Sequence, residues 1–297
     1  MKRLIVIGDI HAHSNILKLL DKIRITDEDK IIQVGDFLDR GGEHEEVCKM
    51  LEDMFKKYNM TILLGNHELF YLQEDYFHII YNNRISSLRE FYKKDTGKSL
   101  SLKSYDCLQL VTGLIKGNQK EKAIVDTLFK YMRKYRSLVI KWVNLGRIKL
   151  AHSEFGWLLT HAGITDELIN QLSWDDMSVI EITNNLNNVF EEAYRKKQFD
   201  HPVFNTVWTR NHISDRFPQI VGHTPQEKIT LRGKHLYVDN GLFVKEDQPF
   251  KERNSLKGLF EPDITIINEE GRIETLKQGV LSKDISEISF APRKPRI

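Results

Sequence analysis

At 297 residues the chain is long enough to bury a full core without covalent or metal staples. Charged residues make up 29% and apolar ones 40%, the balance of an ordinary globular chain, and a net charge of +2 argues against bulk electrostatic binding to nucleic acid. Two cysteines, Cys48 and Cys107, lie in stretches that read as helix, which argues against a disulfide framework or a thiolate zinc site and fits a reducing cytoplasm.

The chain opens with "MKRLIVIGDIHAH". Its apolar run meets acidic residues after five positions, too early for a signal peptide or a membrane span, so it reads as a buried first strand. Ile31 to Val34 and Thr61 to Leu64 repeat the pattern of an apolar run, a glycine and then polar or acidic residues, as buried parallel strands do. Helical spacing fills the gaps, with Ile16, Leu19, Leu20 and Ile23 on one face and Val47, Met50, Leu51, Met54 and Phe55 on another. Strand, helix, strand, helix, strand implies right-handed crossovers and a largely parallel sheet.

From Leu69 to Arg136 the text turns helical, charged and aromatic, and a helical insertion over 69–136 is expected inside a single domain spanning 1–297. Phe70, Tyr71, Tyr76, Phe77 and Tyr81 would form its own small core, or a platform for a nucleobase. Strand signals return in "LVIKWVN", "RIKLAHS" and "GWLLTHAG". A helix over 177–197 follows, and then "PQIVGHT", "HLYVDNG", "DITIIN" and "RIETL", short strands expected to build a second sheet. Residues 285–297 read as a basic tail.

Ligand sites in open sheets lie beyond the carboxyl ends of parallel strands. Those ends carry Asp9 and His11, then Asp36 and Asp39, then Asn66 and His67, and later strand ends add His161 and His223. Carboxylate, imidazole and amide oxygen form a mixed ligand set suited to Mn, Fe or Zn, with enough donors for two ions.

These blocks, "GDIH" at 8–11, "GDFLDRGG" at 35–42, "GNHE" at 65–68, "HAG" at 161–163 and "GHT" at 222–224, resemble the ordered motifs of the calcineurin-like metallophosphoesterases, in particular the phosphoprotein phosphatase branch. The resemblance implies an α/β fold, two mixed β-sheets sandwiched between helices. It implies two divalent metal ions, one held by Asp9, His11 and Asp36 and the other by Asp36, Asn66, His161 and His223, with a water activated between them for in-line attack on phosphorus. His67 would be the general acid, Asp39 its orienting partner and Arg40 the phosphate clamp. Arg210 in "VWTRN" resembles a second clamp of bacterial and phage members, and Asp239 and Asn240 are given a structural role.

Departures touch loop shape rather than ligands: Ala12 and Gly42 stand where glycine and proline are usual, and "HAG" replaces "HGG". The implied substrate is a phosphorylated protein, cleaved by a serine/threonine-type phosphatase. A nucleotide, through symmetric hydrolysis of dinucleoside tetraphosphates, is the alternative, and a metal-binding scaffold without catalysis a third reading, against which His67, Asp39 and Arg40 count. The histidines outside the blocks, at 13, 44, 78, 152, 201, 212 and 235, read as surface or core residues, with His13 and His212 nearest the named positions. Of the metals that suit the donor set, manganese is the expected one, with Fe or Zn as alternatives.

Overall fold

The computed structural model describes residues 2–75, 119–210, 212–226, 228–241, 263–277 and 280–282. Among them, strands β1 (Arg3–Ile7), β2 (Lys30–Gln33), β3 (Met60–Leu63) and β4 (Ile148–Lys149) run parallel. On the other side of β1 come β10 (Asp263–Asn268), β11 (Ile273–Lys277) and β12 (Val280–Ser282), each antiparallel to its neighbour. A second sheet has the order β5-β6-β7-β9-β8, from β5 (Ala151–Glu154), β6 (Trp157–Thr160), β7 (Gln219–Val221), β8 (Thr230–Arg232) and β9 (His235–Tyr237). Its centre, β6-β7-β9, is parallel and its two edges are antiparallel.

The two-residue period of strands sorts the core into layers. Leu4, Val6, Ile32 and Leu63 meet Leu159, Ile220 and Leu236 between the sheets. Ile5, Ile7, Ile31 and Ile62 face the other way, into a core shared with the helices. Helices α2 (His44–Lys57) and α4 (Gln119–Asn144) lie against the first sheet, and α6 (Val179–Lys196) lies against the second. The fold is therefore the expected α/β arrangement, two mixed sheets with helices outside.

Local signals explain the helix ends. A capping box, Ser178 with Glu181, starts α6, and Thr165 caps the short α5 (Asp166–Gln171). In contrast, α1 (Asn15–Lys18) passes at once into a 3-10 turn, Leu19–Lys22; Ile16, Leu20 and Ile23 are buried and Leu19 half-buried.

Three strand expectations are corrected. "LVIKWVN" is the last part of α4, because Tyr131, Tyr135, Val139 and Trp142 are buried one helical turn apart and that packing overrides a β-branched, aromatic composition. "RIKLAHS" is two strands: β4 ends in the first sheet and β5 begins the second, with buried Leu150 between them. "DITIIN" and "RIETL" do not extend the second sheet but join the first beside β1.

The expected 69–136 insertion is bounded by α3 (Asn66–Gln73) and α4, whose ends overrun both limits. Residues 76–118, with Tyr76, Phe77, His78, Tyr81 and Cys107, and the tail at 285–297 lie outside the described residues. Phe70 and Tyr71 belong to the main helical core rather than to a separate one. Cys48 is buried on α2.

Candidate metal centre

Loops leaving β1, β2 and β3 meet those leaving β6 and β7 at one point. They are stitched together through their backbones. Ile10 and His11 donate their N–H groups to the Asp36 carbonyl, and Gly222 donates to the His161 carbonyl at 2.8 Å. His11, Ala12, Asp36, Asp39, Arg40 and His223 all have left-handed backbones, with φ between 45° and 64°. For residues other than glycine such conformations cost about 1–3 kcal/mol each, and they persist where the surroundings over-determine them. Two glycines are fixed by close approach: a Cβ at Gly65 would lie 2.2 Å from Asp36 Oδ1, and one at Gly222 would lie 2.1 Å from Asp9 Oδ1.

Donor atoms converge as two groups sharing Asp36. His11, Asp36 and His67 form one and Asp36, His161 and His223 the other, with the ligating atoms of each within 4.8 Å of one another. Asn66 completes the second, its Oδ1 lying 3.1 Å from His161 Nε2 and 2.9 Å from His223 Nδ1. Asp9 is buried beside them and accepts the His223 N–H at 3.1 Å. The cluster thus brings together Asp9, His11, Asp36, Asn66, His161 and His223, with His67 close against Asp36.

Tautomers can be read from the partners. A backbone carbonyl only accepts, so the Nδ1–H of His161 donates to Val34 at 2.8 Å and the Nδ1–H of His11 donates to Leu38 at 3.3 Å. Each ring therefore turns Nε2 toward Asp36 Oδ2, at 3.4 Å for His161 and 3.7 Å for His11. His161 Nε2 also faces Asn66 Oδ1, so a neutral ring would set its lone pair against two oxygens. A proton on Nε2 or a metal cation among them resolves the conflict. Metal-binding histidines hold their other ring nitrogen on a carbonyl in this way, and the buried His223 Nε2 has no hydrogen-bond partner among the described residues.

The electrostatics agree. Burial opposes the Asp36 charge, yet His161, His67 and His11 hold its carboxyl well below the usual range. His161 is raised despite burial, chiefly by the Asp36 carboxylate. Burial pushes His11 well down, and burial with the neighbouring His161 takes His223 to about 3. Asp9 is pushed well up by burial and by the Asp239 and Asp36 carboxylates, and Asp239 rises to about 6. Buried carboxylates packed against imidazoles are a donor set for hard or borderline divalent ions.

Beside the cluster, His67 Nδ1 lies 2.9 Å from Asp39 Oδ2, and Arg40 points its Nε at His67 Nε2 from 3.4 Å. Asp39 is fully buried and Arg40 half-buried. Arg210 is exposed; it contributes to the low His223 pKa but makes no described hydrogen bond. Asp239 accepts from the Gly241 N–H. Of the other histidines, exposed His212 pairs with Asp215 at 3.6 Å, whereas buried His44 accepts the Asp39 N–H at 3.0 Å.

Glu68 has no role in the sequence reading, and Tyr71 was read there only as one of the insertion's aromatics. Buried Glu68 accepts the N–H groups of Asp36, Phe37 and Leu38 at 2.8, 3.1 and 3.1 Å, which clamps the "GDFLD" turn. It stood inside "GNHE", and an acid at the first turn of a helix was its signal. Tyr71 donates to Asp39 Oδ1 at 2.6 Å. Its signal was spacing: His67 and Tyr71, four apart on one helix, share a face.

The family model for calcineurin-like phosphoesterases matches residues 2–237. No curated protein matches the sequence. Among solved structures, a cold-active protein tyrosine phosphatase aligns with a TM-score of 0.54 and 16% identity, covering 95% of this chain and 78% of that one. The cold-active protein-tyrosine phosphatase of a psychrophilic Shewanella species gives 0.52 and 18%, covering 95% and 80%. A serine/threonine phosphatase from Saccharomyces cerevisiae gives 0.48 and 13%, covering 92% and 79%. At these identities the first two show a likeness of fold alone.

Proposed function

This chain belongs to the calcineurin-like phosphoesterase family and is a metal-dependent phosphatase, and on that premise we propose that it hydrolyses phosphoserine and phosphothreonine esters in proteins. The observation that carries the site is the shared Asp36 between two imidazole groups, with His11 and His161 held by backbone carbonyls in the metal-ready tautomer.

Asp9, His11 and Asp36 would hold one divalent ion, and Asp36, Asn66, His161 and His223 a second, with manganese as the working metal. When bound, such ions lower the pKa of water and offset phosphate charge. The chain does the rest. Arg40, half-buried at the edge of the cluster, offers a planar fork to the non-bridging phosphate oxygens, and exposed Arg210, close enough to lower the His223 pKa, adds a second cation for them. His67 delivers a proton from Nε2 to the leaving oxygen. Asp39, on its Nδ1, keeps the ring oriented.

A second reading has one observation of its own. Trp208 is 40% exposed, stands edge-to-face with Phe70 at 5.1 Å and lies 6.4 Å from His223. Such a ring beside a phosphate site suits a nucleobase, so symmetric hydrolysis of dinucleoside tetraphosphates is the alternative.

The manganese-loaded protein, assayed side by side on a phosphothreonine peptide and on diadenosine tetraphosphate, separates the two. Preference for the peptide is expected, with Asp36→Asn inactive on both. Preference for the dinucleotide, with ADP as product, would transfer the assignment to the second reading. Metal binding without turnover of either would leave a scaffold.

A further inference from the structure

The roles above leave one buried polar group beside the acid unused, the Tyr71 hydroxyl. Tyr71 is fully buried on α3, one turn after His67. Its O–H donates to Asp39 Oδ1 at 2.6 Å, while Asp39 Oδ2 faces His67 Nδ1 at 2.9 Å. Packing alone would be served as well by phenylalanine, and a buried hydroxyl costs desolvation unless its hydrogen bond matters.

The geometry gives that bond a purpose. An aspartate carboxylate turns freely about its last torsion. A donor fixed on one oxygen sets the plane and so aims the other oxygen at the imidazole. The phenol suits the task because it is neutral. A lysine or arginine at the same place would compete with the imidazolium for the Asp39 charge, whereas a phenol orients the carboxylate and leaves that charge for His67. Ring stiffness and the helix under it fix the donor.

We propose that Tyr71 is a positioning residue for the proton donor: acting through Asp39, it holds His67 aimed at the leaving oxygen without itself touching substrate. The inference rests on the reading of His67 as general acid. Its effect should therefore appear only where protonation of the leaving group limits the rate, with alkyl phosphates and not with activated aryl phosphates.

The test compares wild type, Tyr71→Phe, His67→Asn and the double variant, all manganese-loaded, on an alkyl phosphate and on p-nitrophenyl phosphate. His67→Asn should lower kcat far more on the alkyl ester. Tyr71→Phe should lower kcat about 10-fold on the alkyl ester, the lower end of what an orienting outer-shell partner contributes, with KM and the aryl ester little changed. In the His67→Asn background it should add nothing. Equal loss on both esters, or the same further loss in the double variant, would overturn the Tyr71 role while leaving the acid in place. If His67→Asn itself shows no leaving-group dependence, the acid assignment fails, and the Tyr71 inference with it. Should Tyr71→Phe unfold at the assay temperature, the pair Asp39→Asn and Asp39→Asn/Tyr71→Phe, compared at lower temperature, decides the matter. Identical kcat supports action through Asp39, and a difference refutes it.

Discussion

Asp39 is held at its backbone as well as at its carboxylate. Its φ is +64°, and the N–H presented by that conformation is taken by the Nε2 of His44, a ring set between Tyr131 and Tyr135. The bond requires an unprotonated Nε2, and burial, aided by His13 and opposed by Asp39, takes the His44 pKa down to about 4. Because the folded value lies below the ordinary one near 6.5, the unfolded chain binds more protons between them, so His44 stabilises the fold above pH 6.5 and loses that contribution as pH falls toward 4. The window corresponds to about 3 kcal/mol. His44→Gln keeps an acceptor that does not titrate, so its unfolding free energy should converge on or exceed that of wild type as pH is lowered from 7 to 4. Urea titrations at a series of pH values would show this, and a constant gap between the two proteins would refute it. At this scale the strand-end carboxylates and histidines were legible because each stands beside a glycine at the end of an apolar run. His44, Glu68 and Tyr71 were not, because their roles consist of bonds to residues in other elements: spacing can suggest a shared helix face but does not identify a partner across the core.

The element most easily misread is α4. Its last turns, Leu138 to Asn144, carry the β-branched and aromatic residues of a strand, and only the spacing of Tyr131, Tyr135, Val139 and Trp142 marks a helix face. Trp142, fully buried, packs on Phe37 at 5.3 Å and on Phe55 at 5.2 Å. Phe37 follows Asp36 directly, so this helix supports the turn that presents the shared carboxylate. Trp142→Ala should cost about 3–5 kcal/mol of stability, the usual loss for a large aromatic in a core. It should also lower turnover by loosening Phe37, while Trp142→Phe should lose much less of both. Paired denaturation and kinetic measurements would check this. Stability loss with full activity at a temperature where the variant is folded would break the link between α4 and the turn. The same limit of local pattern explains β10 and β11. Their alternation predicts strands, but only pairing with β1, far away in sequence, decides which sheet they enter.

On the scale of the whole molecule, the site lies where the two sheets present their carboxyl ends to each other. Asp9, Asp36 and Asn66 come from the loops of the first sheet, while His161 and His223 follow β6 and β7 of the second. The parallel strands β1 to β3 and the strands β6, β7 and β9 were legible in the sequence, whereas β10 and β11 were expected in the second sheet and the end of α4 was expected as a strand. The facing of the two sheets was implied only by the family resemblance, since alternation within a strand does not say which other sheet its buried face will meet. An ion held by Asp36, Asn66, His161 and His223 would therefore tie one sheet to the other, and it would offset a buried concentration of carboxylate that the metal-free protein carries alone. Binding to the folded state alone stabilises by mass action, about 3 kcal/mol at a metal concentration one hundred times the dissociation constant. Chelation should accordingly lower the thermal midpoint, and titrated manganese should restore it progressively. Asp36→Asn, lacking the shared ligand, should show little of this response. Differential scanning calorimetry of wild type and variant with EDTA and across a manganese series provides the measurement. A wild-type midpoint indifferent to both additions would mean that the converging donors do not hold a metal, and the site would then have to be explained by its buried protons alone.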